Sequence, residues 1–322
     1  AWLRHDRGQS AEALELVEEN LQISRRKFGG EHITTLGLAN ALGIFYTDLD
    51  RYEEAEQLYL KNIPIALRVL GDKNDVGLFM VGNLGWTYEC QGRYDEAERQ
   101  YIEALRLREG IWDENILWNL NTKRVLAGLY GKQKRYDEAK RLYLDILPIE
   151  RRDLGDKHQI TLWSMNGLAQ VHTHLEEYAE AETLLMEVLD VMKLKRRKDH
   201  PDTLKAINDF GVLRRDQKRY EEAESLLKQA IEGREREFGE DHPHTLESMH
   251  ELAVLHVKQD QHQQAVDLLV KVAEGRRIKL GDPHPHTQES IENLIDLYEA
   301  CGKPDEAEKW RTKLPHKEAM RE

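Results

Sequence analysis

The chain has 322 residues, with 47 basic against 60 acidic side chains for a net charge of −13, 40% hydrophobic residues and two cysteines. That composition belongs to a folded, helix-tolerant protein and sets aside the disulfide-rich and disordered classes. No apolar run approaches the ~20 residues of a membrane helix, no basic-then-apolar leader opens the chain, and the negative sign argues against non-specific nucleic-acid binding.

The predicted elements follow one period. Ala13, Ala55, Ala97, Ala139, Ala181, Ala223, Ala265 and Ala307 stand 42 residues apart without drift. A second small column reads Gly43, Gly85, Ala127, Ala169, Gly211 and Ala253, beside a bulky one of Leu42, Leu84, Leu126, Leu168, Phe210, Leu252 and Leu294. In chain order this predicts a half repeat over 1–31. Seven helix pairs follow at about 34–73, 76–115, 118–157, 160–199, 202–241, 244–283 and 286–314, with a short tail over 315–322. Stepping back one period from Gly43 lands on Ala1, in mid-helix, so the expectation is one array cut from a longer protein.

Within a pair, the first helix starts near Thr35-Leu36 and ends in a polar break such as Gln91-Gly92-Arg93. The second opens with acids (Glu53 and Glu54, Asp95 and Glu96, Asp137 and Glu138), which suit the positive end of a helix dipole. It runs to Gly29, Gly71, Gly155, Gly239 or Gly281, expected to take the left-handed conformation that closes a helix. Corners such as Asp241-His242-Pro243 place proline in the next helix's first turn. The small columns are where helices cross closely. Pro64 and Pro148 fall inside second helices as kinks, and residues 109–113 depart from the pattern. The fold class is all-α: a solenoid of stacked antiparallel helix pairs.

The run Gly239 to Leu246 (Gly-Glu-Asp-His-Pro-His-Thr-Leu), with Glu251 to Leu255 and Tyr220-Glu221-Glu222-Ala223-Glu224, resembles a tetratricopeptide repeat. More narrowly it is similar to the 42-residue kind of kinesin light chains, and the C-terminal stretch from Glu289 to Trp310 resembles arrays in bacterial multidomain signalling proteins. The resemblance covers essentially the whole chain. It implies a right-handed superhelix whose concave wall is made by first helices and which binds protein or peptide. In kinesin light chains paired asparagines on that helix hold cargo; here the matching pairs are broken (Asn166-Gly167, Asn208-Asp209), so the cargo preference does not carry over.

Nothing nominates a catalyst, cofactor or metal. His32, His158, His200, His242 and His284 sit one or more repeats apart at corners, whereas a metal needs three or four converging ligands. The recurring carboxylates read as a solvated helix face. The first-helix positions left free by the core columns instead line one face. Its middle carries Asn121, Arg124, Trp163, Asn166, Gln170, Lys205, Asn208 and Arg215, a mixture of amides, bases and an aromatic suited to an extended peptide. On the last first helix the same four columns read Glu289, Glu292, Asp296 and Glu299, either an orienting acidic end or a polar capping repeat. The leading expectation is a cytoplasmic interaction scaffold, a regulatory part of a larger protein, without nucleic-acid or membrane partners. The alternative is a spacer or oligomerisation element. The groove reading expects Asn166→Ala with Asn208→Ala to weaken partner binding and leave melting unchanged.

Overall fold

In the computed structural model residues 7–71, 74–109, 116–195 and 199–314 are described, and these hold fifteen helices and no strand. They divide into two units, 1–135 and 136–322. The first contains α1 (Arg7–Phe28), α2 (Ile33–Asp48), α3 (Tyr52–Leu70), α4 (Asp75–Cys90), α5 (Tyr94–Leu107) and α6 (Ile116–Lys132). The second contains α7 (Tyr136–Asp153), α8 (Gln159–His174), α9 (Tyr178–Lys195), α10 (Pro201–Asp216), α11 (Tyr220–Phe238), α12 (Pro243–Lys258), α13 (His262–Leu280), α14 (Pro285–Ala300) and α15 (Pro304–Arg311). Within each unit consecutive helices pack together, and first helices also touch across one intervening helix: α2 with α4, and α8 with α10 with α12. Each unit is therefore an α-solenoid with its first helices stacked side by side.

Packing explains the small columns. The seven alanines from Ala55 to Ala307 are wholly buried. At Gly43 a methyl group would lie 2.3 Å from Cζ of Tyr59, and at Gly85 2.8 Å from Cε1 of Tyr101. Larger side chains there would force neighbouring helices apart. Pro64 and Pro148 lie inside α3 and α7, which continue through them with the prolines on the exposed side. Most of the divergent 109–113 segment lies outside the described residues, as does the 315–322 tail.

The corners between repeats are held by histidine. His32, His158, His200, His242 and His284 are N-caps, each with Nδ1 accepting the backbone N–H two residues on at 3.2–3.3 Å. This satisfies one of the orphan donors of a helix start. At the Gly71 corner Asn74 takes the place of histidine as the cap, and the glycines that end the second helices differ from the sequence expectation. Gly71, Gly239 and Gly281 have φ of 81°, 92° and 84° but ψ of 160°, 165° and 164°, an extended mirror-image region reached essentially by glycine alone.

The left-handed residues lie at the other turn, inside each repeat. Asp50, Gly92, Lys134, Glu176, Lys218, Asp260 and Gly302 share one repeat position and have φ between 58° and 74°. There the N–H of the next residue reaches back along the helix: Arg51 to Tyr46 O, Arg93 to Tyr88 O, Arg219 to Arg214 O and Lys303 to Tyr298 O, at 2.8–2.9 Å. This closes each first helix, and at Arg51, Arg93 and Arg135 it lays the guanidinium on the tyrosine five residues earlier.

Candidate functional site

The eight sequence-selected residues divide between the units. In the first, Arg124 donates to Asn121 Oδ1 at 2.5 Å on half-buried α6 positions. The other six lie in the second unit on α8 and α10, and all but Gln170 are joined by acids that the columns do not contain. Trp163 Nε1 donates to Asp202 Oδ1 at 3.0 Å, and Gln159 donates to the other oxygen of that carboxylate. Asn166 Nδ2 donates to Asp209 Oδ2, which also receives Lys205 Nζ at 3.1 Å. Asn208 Oδ1 accepts from Ser248 Oγ at 2.8 Å. Arg215 is buried and pairs with Asp216 at 2.9 Å and with Glu251 on α12. These acids outweigh the burial of its guanidinium and raise its pKa.

Asn166 and Asn208 are thus part of a buried seam between stacked first helices, while Trp163, Gln170 and Lys205 are half-buried above it. The same kind of contact joins α2 to α4, where Asn83 Nδ2 donates to Asn40 Oδ1 at 2.9 Å, and α12 to α14, where Asn293 meets His250 Nε2 at 3.4 Å. Among the described residues, Asn166 Oδ1 and His250 Nδ1 on this face have no hydrogen-bond partner, and the two residues hold the same repeat position. Burial, reinforced by repulsion from Arg276, lowers the His250 pKa to about 4. That imidazole is therefore neutral near pH 7.

On α14, Glu292 and Asp296 are exposed, Glu299 pairs with Arg311, and His286 holds the Glu289 carboxyl at about 2 despite its partial burial. Val212 and Val254 stand one and two repeats on from Gln170 as half-buried apolar positions. Among the described residues no three metal-ligating side chains converge, and no helix is long and apolar enough to cross a membrane.

Asp202, Asp209 and Ser248 escaped the sequence reading because contacts between stacked helices join different registers. The partners are separated by 39, 43 and 40 residues, not by one period. Scanning for polar pairs a few residues off the period is the signal that finds them.

Tetratricopeptide repeat models match residues 34–110, 118–194, 167–236 and 202–278, and a further one matches residues 1–34. Among solved structures, BtubC (BKLC) from P. vanneervenii is 19% identical with a TM-score of 0.54, covering 71% of this chain and 92% of its own. A Rap protein complexed with competence and sporulation factor is 13% identical with a TM-score of 0.66, covering 95% of this chain and 92% of its own. The nearly identical TPR-like repeats described as a Podosopora anserina kinesin light chain are 27% identical with a TM-score of 0.46, over 60% of this chain and 92% of their own. A search of curated proteins returns no match. Repeats of this kind build protein-interaction scaffolds, and from a match running over most of its length the chain belongs to the tetratricopeptide repeat family.

Proposed function

We propose that the first-helix face of the second unit binds an extended peptide or partner segment, and that the chain serves as a regulatory arm of a larger cytoplasmic protein. The observation that carries this reading is the polar seam itself. Buried polar atoms in folded proteins are nearly always paired, yet on this face Asn166 Oδ1 and His250 Nδ1 have no partner, and the half-buried Gln170 amide makes no side-chain hydrogen bond, among the described residues. A peptide backbone supplies N–H donors and C=O acceptors at regular intervals, which is the chemistry those two atoms lack. The pre-bonded floor also lowers the ordering cost of binding.

Gln170 and Val212 are the positions to test, because neither is tied into the seam. A peptide selected from a random library on the parent protein is titrated by calorimetry against Gln170→Arg with Val212→Asp. The reading expects at least tenfold weaker binding with unchanged melting. Failure of any peptide to enrich, or equal affinity for the double variant, refutes it.

The oligomerisation reading has one observation in its favour. Leu144 and Met186 on the second helices of this unit are 49% and 50% exposed, and Leu60 and Ile102 hold the same repeat position in the first unit at 52% and 46%. Recurrent exposed apolar side chains are a feature of association surfaces. Sedimentation of the parent beside Leu144→Glu with Met186→Glu separates the two: a dimer lost on substitution supports self-association, and a monomer throughout removes it.

A further inference from the structure

The turn that closes each first helix builds a small clamp. In the first unit the guanidinium carbon of Arg51 lies 4.4 Å from the ring centre of Tyr46, that of Arg93 4.2 Å from Tyr88, and that of Arg135 4.1 Å from Tyr130. Each arginine is also held by carboxylate. Arg51 pairs with Glu54 at 2.8 Å, Arg93 with Glu96 at 3.0 Å and Glu56 at 2.8 Å, and Arg135 with Glu98 at 2.5 Å. Tyr88 completes its clamp by donating to Glu56 at 2.9 Å. A planar cation is sandwiched between a phenol face and acids, the pairing that guanidinium makes best.

At the end of the second unit the turn is kept and the cation is not. Tyr298 stands at the repeat position of Tyr88, Glu306 at that of Glu96, Lys303 at that of Arg93 and Val266 at that of Glu56. The Lys303 N–H still bonds Tyr298 O at 2.9 Å, so the backbone geometry is unchanged. The Lys303 side chain makes no ion pair or ring contact among the described residues, and Glu306 turns instead to Lys309 at 2.6 Å. Tyr298 is only 8% exposed, and its hydroxyl has no hydrogen-bond partner among the described residues. Tyr298 lines a cavity of about 750 Å³ together with Val266, Asp267, Val270, Asp305 and Glu306, where Asp267 Oδ1 accepts from Gln263 Nε2 at 2.8 Å and its other oxygen is left for a ligand.

We propose that this corner is a receptor for an arginine side chain presented by a partner polypeptide. The phenol and the acid of the arginine clamps are both kept, with Tyr298 largely buried and Glu306 paired to Lys309, and the base between them has been exchanged for a shorter-reaching point charge. Asp267, Asp305 and Glu306 against Lys303 and the Lys309 that pairs with Glu306 leave the rim one charge negative. The Tyr298 hydroxyl and the Asp267 carboxylate supply acceptors for the five N–H donors of a guanidinium fork. The site shares no residue with the first-helix face described above, so the two stand or fall separately.

The test is fluorescence anisotropy of the intact chain with a labelled Ala-Arg-Arg-Ala peptide, beside the same peptide carrying citrulline, which has the shape of arginine without the charge. The arginine peptide is expected to bind at least tenfold more tightly. Asp267→Asn with Glu306→Gln is expected to remove at least tenfold, and Glu292→Gln with Asp296→Asn, the same charge change on α14, less than twofold. Lys303→Ala, which relieves the repulsion at the rim, is expected to tighten binding severalfold and guards against misfolding of the acid variant. Equal binding of the citrulline peptide, equal loss in both acid variants, or weaker binding by Lys303→Ala overturns the proposal.

Discussion

Asn166→Ala removes one hydrogen bond from the seam between α8 and α10, and its cost can be worked from the geometry. The Asn166 side chain is 5% exposed and donates to Asp209, itself 5% exposed, so the substitution strips a neutral donor from a buried carboxylate. Hydrogen bonds to charged groups contribute about 1.5–3 kcal/mol. Asp209 keeps Lys205 at 3.1 Å and a long contact to Asn208 at 3.4 Å, which argues for the lower half of that range. At about 2–4 °C per kcal/mol for a unit of 150–250 residues, the melting temperature should fall by about 3–8 °C. The assay is thermal and urea unfolding followed by circular dichroism, with Asp209→Ala and the double variant completing a cycle. A coupling of about 1 kcal/mol or more is expected, since residues in one network are non-additive. A melting shift under about 1 °C, or effects that add to within about 0.5 kcal/mol, would show that the seam is not energetically real. The outcome also bears on the simpler expectation that Asn166→Ala with Asn208→Ala perturbs binding alone. Both amides bridge helices, so their loss weakens the scaffold as well.

Two further outcomes are expected. At Gly167 a methyl group would meet Tyr143 Oη at 2.3 Å, whereas at helical Gly131 nothing lies within 4 Å. Gly167→Ala should therefore destabilise by about 1–3 kcal/mol, and Gly131→Ala should stabilise by about 0.5–1 kcal/mol; urea midpoints moving in the same direction would refute the packing argument. His250 has its pKa lowered from 6.5 to about 4, first by burial and then by Arg276, with Glu251 and Glu289 opposing. The unfolded chain then takes up a proton that the folded chain refuses, so stability is full above about pH 6.5 and is lost progressively down to about pH 4, by roughly 3 kcal/mol in all. His250→Gln should flatten that part of the stability profile, and an unchanged slope between pH 6.5 and 4 would exclude His250 as its source.

The repeat period, the helix pairs and the wholly buried alanines were legible because close packing imposes the same side-chain volume at the same place in each unit. The histidine corners were legible as corners, though not as caps, because capping depends on which ring nitrogen faces the backbone. The closing glycines were recognised by type and mistaken in conformation, since φ > 0 alone does not distinguish the left-handed helical region from its extended mirror image. For the binding face, a column of equivalent positions shows which side chains share a face but not which are consumed within it. Asn166 and Gln170 look alike in the columns, yet one is locked to Asp209 and the other makes no side-chain hydrogen bond among the described residues. Polar partners offset from the period lie outside any periodic search.

The joint between consecutive repeats is not uniform. Arg234 donates to Ser248 Oγ at 2.8 Å and also to His244 O, and Arg276 repeats the arrangement with Ser290 Oγ at 2.6 Å and His286 O at 2.9 Å. One repeat earlier the same position is Met192, whose sulfur lies 3.9 Å from Thr203 Oγ1, and at the start of the chain it is Ser24, bonded to Thr35 at 2.8 Å. The junctions thus fall into different kinds of key and lock, the arginine kind being shared by two of them. Excising residues 202–243 would keep the period and the buried alanine of every remaining repeat, yet would set the Met192 thioether against the Ser248 hydroxyl and His244 carbonyl that Arg234 now satisfies. Units of identical length are consequently not interchangeable parts, and the order in which they are strung is written into the buried contacts between them.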